Sequence, residues 1–338
     1  MPNAGYPSTM KSLETTEDPV GPGQQRPYPK PDKTDKLPFQ IPGYSEKGDT
    51  VYKLWGDLAS KKTPLICLHG GPGMAHNYIL PICLIAQDFG IPVIMYDQIG
   101  CGLSTHFPER KGDEKFWTPQ LFMAELDNLK STLGITDFDL LGQSWGGMLG
   151  GQYAITQPKG LRKLIIADSP ASMVTWVEEA AKLRKQLPQD VQDTLTRCEK
   201  EGKTETPEYE AAVNVYYTKH LCRIVPFPDE IQQTLAQVEK DNTVYHTMNG
   251  PSEFHVIGSL RTWNIEKDLK KITHETVPGG MMVINGYFDE ATDICARPFF
   301  TEPQAKVKWT RYALSGHCPH LEETERYVAD LGAFLLEE

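Results

Sequence analysis

Two hydrophobic patterns divide this chain. Short continuous apolar runs stand at Pro64-Leu65-Ile66-Cys67-Leu68, Val93-Ile94-Met95-Tyr96, Phe138-Asp139-Leu140-Leu141, Leu164-Ile165-Ile166-Ala167 and Met281-Met282-Val283-Ile284. Unbroken apolarity over strand length suits strands covered on both faces. Helical stretches alternate with these runs from Thr50 to about Pro170, as in βα units of a mostly parallel sheet. The sheet resumes at Met281, includes a strand of mixed polarity from Val307 to Leu314, and is closed by a helix from Glu322 to Leu336.

Between residues 171 and 276 the period becomes helical. Trp176, Ala180, Leu183 and Leu187 recur every three or four positions along a helix that stops at Pro188. Thr206-Pro207 reads as an N-cap and first helical residue. Pro228 opens another helix, with Ile231, Leu235 and Val238 on one side. A helical insertion between two strands is most simply a cap, and its aromatic residues (Trp176, Tyr216, Tyr217, Phe227, Phe254, Trp263) are expected mainly to pack its helices together. Residues 1–43 hold nine of the 26 prolines and no periodic pattern, which predicts an extended arm. The expected organisation is an arm (1–43), an α/β core (44–170 and 277–338) and a helical cap (171–276).

Composition narrows the partners. The formal charge of −11 disfavours nucleic acid and anionic membranes. No apolar run reaches the length of a membrane span, and the N-terminus lacks the charged-then-apolar pattern of a signal peptide. Seven cysteines without paired spacing suggest reduced thiols and a cytoplasmic location. No Cys/His spacing suits a metal, and no cofactor is expected.

The candidate chemistry begins at Gly142-Gln143-Ser144-Trp145-Gly146. Here a glycine-flanked serine turns from an apolar strand into a helix running from Trp145 to Gln157. This is the context of a nucleophile elbow, whose bend leaves no room for side chains at the flanking positions. His69-Gly70-Gly71-Pro72-Gly73 follows another buried strand. Such a loop suits an oxyanion hole, with the N–H groups of Gly71 and Trp145 as donors. It has neither the Lys-Ser/Thr of a P-loop nor a G-x-G-x-x-G spacing. An elbow of this type places its acid and then its histidine downstream of the serine. His317, in the loop after the strand at 307–314, is therefore the expected base, with His320 as runner-up. Asp289 or Glu290, leaving the strand at 281–285, is the expected acid. Asp293 is a weaker choice, expected to cap a helix, and Asp97 precedes the serine and is expected to shape a loop beneath the site.

These motifs, with Tyr96-Asp97-Gln98-Ile99-Gly100-Cys101-Gly102-Leu103-Ser104, Asn249-Gly250-Pro251-Ser252-Glu253-Phe254, Gly286-Tyr287-Phe288-Asp289-Glu290 and Ser315-Gly316-His317, resemble the proline iminopeptidase (prolyl aminopeptidase) family of α/β-hydrolases. The resemblance extends over roughly residues 40 to 338. It is nearest to the branch of tricorn-interacting aminopeptidases and L-amino-acid amidases. It implies an α/β-hydrolase fold with Ser144 as nucleophile, Asp289 as acid, His317 as base, and Gly71 with Trp145 for the oxyanion. It also implies cap glutamates that hold a substrate's free α-amine. Glu253 stands at the matching motif, and Glu210 is the candidate for a second carboxylate.

The expected activity is hydrolysis of the amide bond after a free N-terminal amino acid, through an acyl-enzyme, on a small peptide or aminoacyl amide. An esterase, a lactonase or a biosynthetic acyl-transfer enzyme acting on a small-molecule ester is the alternative and would share every catalytic residue. A non-catalytic ligand-binding scaffold is least favoured, because the full catalytic set is present. Epoxide hydrolases and dehalogenases need a carboxylate where this chain has Ser144.

Overall fold

Alternation within each apolar run decides which side of the sheet a residue faces. The computed structural model describes residues 19–337. Its eight strands are β1 (Lys33–Gln40), β2 (Lys47–Trp55), β3 (Leu65–Leu68), β4 (Val93–Tyr96), β5 (Phe138–Gln143), β6 (Leu161–Ala167), β7 (Met281–Gly286) and β8 (Val307–Tyr312). They form one sheet in the order β1-β2-β4-β3-β5-β6-β7-β8. β1 and β2 are antiparallel to their neighbours, and every other pairing is parallel.

Leu141, Ile165, Ala167 and Ile284 enter a core covered by α1 (Leu84–Phe89) and the C-terminal helices α10 (Pro319–Glu322) and α11 (Thr324–Leu336). Leu140, Leu164, Ile166 and Val283 enter the opposite core, under α2 (Pro119–Leu133), α3 (Trp145–Ile155) and α9 (Asp293–Thr301). A strand buried on both faces has no polar side to show, which is why its sequence shows no alternation. Between β6 and β7 come α4 (Met173–Arg184), α5 (Gln189–Glu201), α6 (Pro207–His220), α7 (Asp229–Lys240) and α8 (Thr243–Met248). They contribute a separate small core that includes Leu195, Cys198, Tyr209, Tyr216 and Phe254. α6 begins as its sequence predicts: Thr206 Oγ1 accepts the Tyr209 N–H at 3.4 Å, and Pro207 opens the helix.

Two boundaries differ from expectation. Residues 33–40, assigned to the arm, form the outermost strand of the sheet. Only Leu37 and Phe39 of β1 are buried, too few to signal alternation, and an edge strand tolerates Pro38. Residues 19–32 cross the surface in irregular conformation. Pro29 carbonyl oxygen accepts the Trp55 indole N–H at 2.9 Å, and Arg26 pairs with Asp88 and Glu325. The remainder of the proposed arm, residues 1–18, lies outside the described residues. The C-terminal helix starts at Thr324 rather than Glu322, because Glu323 leaves helical geometry between α10 and α11. No described helix is long and apolar enough to cross a membrane.

One buried polar knot joins three elements. The Glu125 carboxyl on α2 accepts the Thr50 hydroxyl of β2 at 2.5 Å and the Ile99 N–H at 2.9 Å. Burial pushes this carboxyl up to about 8, against the opposing effect of those hydrogen bonds. A folded value above the unfolded one means that its contribution to stability is complete below about pH 4 and disappears as pH rises through 8. Glu125→Gln is therefore expected to gain stability relative to the wild type between pH 5 and 8 in urea titrations. Glu125→Ala, which strands the Thr50 and Ile99 donors, should cost about 1–3 kcal/mol. A constant difference between wild type and Glu125→Gln across that range would contradict a neutral Glu125.

Candidate active site

Ser144 closes β5 with φ +56° and ψ −123°, a conformation that non-glycine residues adopt only under constraint. The constraint is the approach of α3 to the sheet. A Cβ on Gly146 would lie 2.1 Å from the Leu68 carbonyl oxygen, and one on Gly147 would lie 2.0 Å from Ser169 Oγ. Both distances are below any real contact, so only glycine lets the helix lie this close. The Ser144 N–H donates to Ala167 carbonyl oxygen at 2.8 Å, and the Ser169 hydroxyl donates to Ser144 carbonyl oxygen at 2.8 Å.

The glycine loop after β3 is fastened to this turn. The Gly70 N–H donates to the Tyr78 hydroxyl at 2.6 Å. The Gln98 carboxamide donates to His69 carbonyl oxygen and accepts the Trp145 indole N–H, both at 2.9 Å, so one side chain fixes the loop against the elbow. Gly71 has φ +111°. Among the described residues, neither the Gly71 nor the Trp145 N–H is engaged by an acceptor, and both residues line a cavity with Ser144. Asp97 lies beneath, accepting the His76 N–H and the Leu103 N–H.

His317 comes from the loop between β8 and α10. Its Nδ1 lies 2.6 Å from Asp289 Oδ1, and its ring lines the same cavity as Ser144. Its backbone is held on both sides: its N–H reaches His220 and Leu221 carbonyl oxygens, and its carbonyl oxygen accepts the Gln143 carboxamide at 2.8 Å. The Glu322 carboxylate grips the Gly316 N–H at 2.9 Å and the Arg223 N–H of the insertion at 2.9 Å. Burial works against a charged imidazole here. The Asp289 contact, with Glu290 and Glu253 beyond it, outweighs burial and raises His317 to about 9.

The alternative residues lie elsewhere. His320 is buried in α10 with Nε2 on Tyr78 carbonyl oxygen at 3.0 Å, and burial lowers it to about 3. Asp293 does not cap α9, since Thr292 occupies that position. Its carboxylate instead receives Asn285 at 2.9 Å and Arg311 at 3.2 Å. Glu210 is exposed on α6, so it is not the second carboxylate. Glu290 is fully buried. Neither carboxyl oxygen makes a hydrogen bond of good geometry, although the Tyr216 hydroxyl lies alongside, and Glu253, Asp289 and His317 are its charged neighbours. Burial lifts Glu290 well above the carboxylate range.

Glu253 is buried and borders both cavities that meet at Ser144. Its Oε1 accepts the Tyr245 hydroxyl at 2.7 Å, and its carbonyl oxygen accepts the Trp176 indole N–H at 2.6 Å. Burial raises its carboxyl, opposed by the Tyr245 bond and by His317. One cavity is lined by Trp145, Met148, Met173, Trp176 and Leu260. The other, the larger of the two, is lined by Met74, Leu221, Ile231 and Leu235. Of the six aromatic residues noted in the insertion, Trp176 alone lines either of these two cavities. Among the described residues no group of His, Cys, Asp or Glu is arranged to hold a metal.

A family model described as the alpha/beta hydrolase fold matches residues 63–324. The proline iminopeptidase of Heyndrickxia coagulans is 34% identical over 273 residues, 81% of this chain and 90% of that protein. The chain belongs to the proline iminopeptidase family of α/β-hydrolases. It is a hydrolase. The crystal structure of the proline iminopeptidase of Mycobacterium smegmatis is 42% identical with a TM-score of 0.79, covering 89% of this chain and 97% of that one. The crystal structure of VinJ is 46% identical with a TM-score of 0.84, covering 90% and 98%.

Within this proline iminopeptidase-like site, the helix approach at Gly146 is directly testable. Gly146→Ala should fold but displace the start of α3, slowing labelling of Ser144 by an organophosphonate about 100-fold. Labelling at the wild-type rate would show that the close approach does not position the serine.

Proposed function

We propose that this hydrolase is a serine aminopeptidase or amino-acid amidase that removes a free N-terminal residue, proline-type substrates included. The observation that carries this reading is the buried carboxyl of Glu253, which lines the cavity that holds Ser144 and His317. A buried carboxyl is costly unless it is paired, and once His317 is neutral, as its action as a base requires, Glu253 loses the cation beside it. A substrate ammonium supplies the missing charge and thereby fixes the carbonyl next to it above Ser144. Named relatives with proline iminopeptidase activity support the same substrate class.

In this reading His317, oriented by Asp289, takes the Ser144 proton as the hydroxyl attacks the carbonyl. The Gly71 and Trp145 N–H groups receive the negative charge of the tetrahedral intermediate. His317 then protonates the leaving amine, and water hydrolyses the acyl-enzyme by the reverse route. The insertion acts as a cap, since Ile231, Thr234 and Leu235 of α7 wall the larger cavity. Seven free cysteines, all buried, suit a cytoplasmic setting. An esterase with the same triad has no need of a buried carboxyl lining this cavity.

Only neutral His317 can take the proton, so the acid limb of kcat/KM for the unliganded enzyme should lie near its raised value of about 9. Glu253 is one of the charges that hold His317 up. Glu253→Gln should therefore move that limb to lower pH on a neutral acetate ester. On an aminoacyl anilide the same variant should lose about 100-fold or more in kcat/KM, as expected when a buried charge partner is removed. Equal losses on both substrates, with no shift of the limb, would assign Glu253 a packing role. Ser144→Ala serves as the control that abolishes both reactions.

A further inference from the structure

Asp168 was not singled out by any sequence motif, and the mechanism above does not use it. It ends β6 with φ +53°, next to β7, and its N–H donates to the Ile284 carbonyl oxygen at 2.8 Å. Its side chain is fully buried, and neither carboxyl oxygen receives a hydrogen bond. It lies within hydrogen-bonding reach of Asp289 and of the Gln143 carboxamide, which favours the charged form but is outweighed by burial and Asp289.

Asp289 is the complementary half. Its Oδ1 takes His317 Nδ1 at 2.6 Å and the Ala291 N–H at 2.7 Å, whereas its Oδ2 is buried without a partner. Two buried carboxyls at this separation cannot both be ionised. A single proton between them satisfies the oxygens that otherwise face each other. Asp289 Oδ1 already accepts two donors, so the shared proton is placed on Asp168.

We propose that Asp168 is a positioning residue whose neutral carboxyl donates a hydrogen bond to Asp289 Oδ2, fixing the rotation that aims Oδ1 at His317. This rests on the triad reading above. The other titratable groups facing Asp168 are Glu322, Tyr78, Tyr312, Tyr327 and Cys318. None is a cation. Burial, and then the Asp289 charge, push the Asp168 carboxyl well above its ordinary range, in keeping with a held proton.

The test compares Asp168→Asn, which keeps a donor without a charge, with Asp168→Val, which removes it. Acetate-ester hydrolysis is measured against pH, with organophosphonate titration to count competent sites. Asn is expected to stay within about threefold of wild type with its acid limb unmoved, while Val loses about tenfold or more in kcat at unchanged KM. A limb shifted down by a unit or more in Asp168→Asn would show that Asp168 carries a charge and overturn the proposal. Equal losses in the two variants, or none in Asp168→Val, would also overturn it. If Asp168→Val does not fold, the infrared difference spectrum of wild type minus Asp168→Asn at pH 7 decides: a protonated carboxyl band is expected, and its absence contradicts the proposal. Failure of the triad reading is separately visible, as turnover or labelling surviving in Ser144→Ala.

Discussion

The approach of α3 to the sheet is the constraint on which the site depends. With the helix pressed against the Leu68 carbonyl oxygen, Ser144 has one conformation available, at positive φ, and its side chain leaves the end of β5 toward the cavity. The same approach fixes Trp145, whose indole is tied through Gln98 to the loop carrying Gly71. The residue before the serine does as much: Gln143 receives the Tyr78 hydroxyl and holds the carbonyl of His317. Nucleophile, oxyanion loop and base are thus referred to a single turn, so an error in its position propagates to all three.

Around that turn the protein concentrates buried acidity. Asp168, Asp289, Glu253, Glu290 and Glu322 are all removed from water. They divide into three tasks by what satisfies them. Glu322 is satisfied by backbone N–H groups and ties the His317 loop to the insertion. Asp168 and Asp289 face one another behind the imidazole. Glu253 has a tyrosine on one oxygen and lines the cavity at Ser144, where we propose that a ligand of positive charge sits, and Glu290 is buried next to it with the Tyr216 hydroxyl alongside. Low dielectric strengthens each of these interactions and equally raises the cost of leaving one unmet.

The sheet and its loops were legible in the sequence because each rests on local chemistry. Continuous apolar runs gave β3 to β7, and the glycines at 142 and 146 marked the elbow. Thr206-Pro207 marked a helix start. β1 escaped notice because an edge strand buries little. Chain order narrowed the base to His317 or His320, and only tertiary contacts separate them: one meets Asp289, the other a backbone carbonyl. Glu210 was misplaced because helical period does not say which insertion helix faces the cavity. Glu290 stood in the sequence beside Asp289, but its full burial is a property of the packed fold. Asp168 occupies the C-terminal end of a central strand, where an open α/β sheet presents its reacting groups, and that rule applied there would have found it.

The central claim is that the buried Glu253 carboxyl beside Ser144 demands a free amine on the substrate. The most direct measurement is kcat/KM for prolyl and alanyl anilides, each with its amine free or acetylated, together with short acyl esters. The account predicts rapid cleavage of the free-amine anilides and a loss of about 100-fold or more on acetylation, the scale of leaving a buried charge unpaired. Equal rates for free and acetylated substrates, or cleavage of the esters alone, would keep the triad and contradict the amine-binding site.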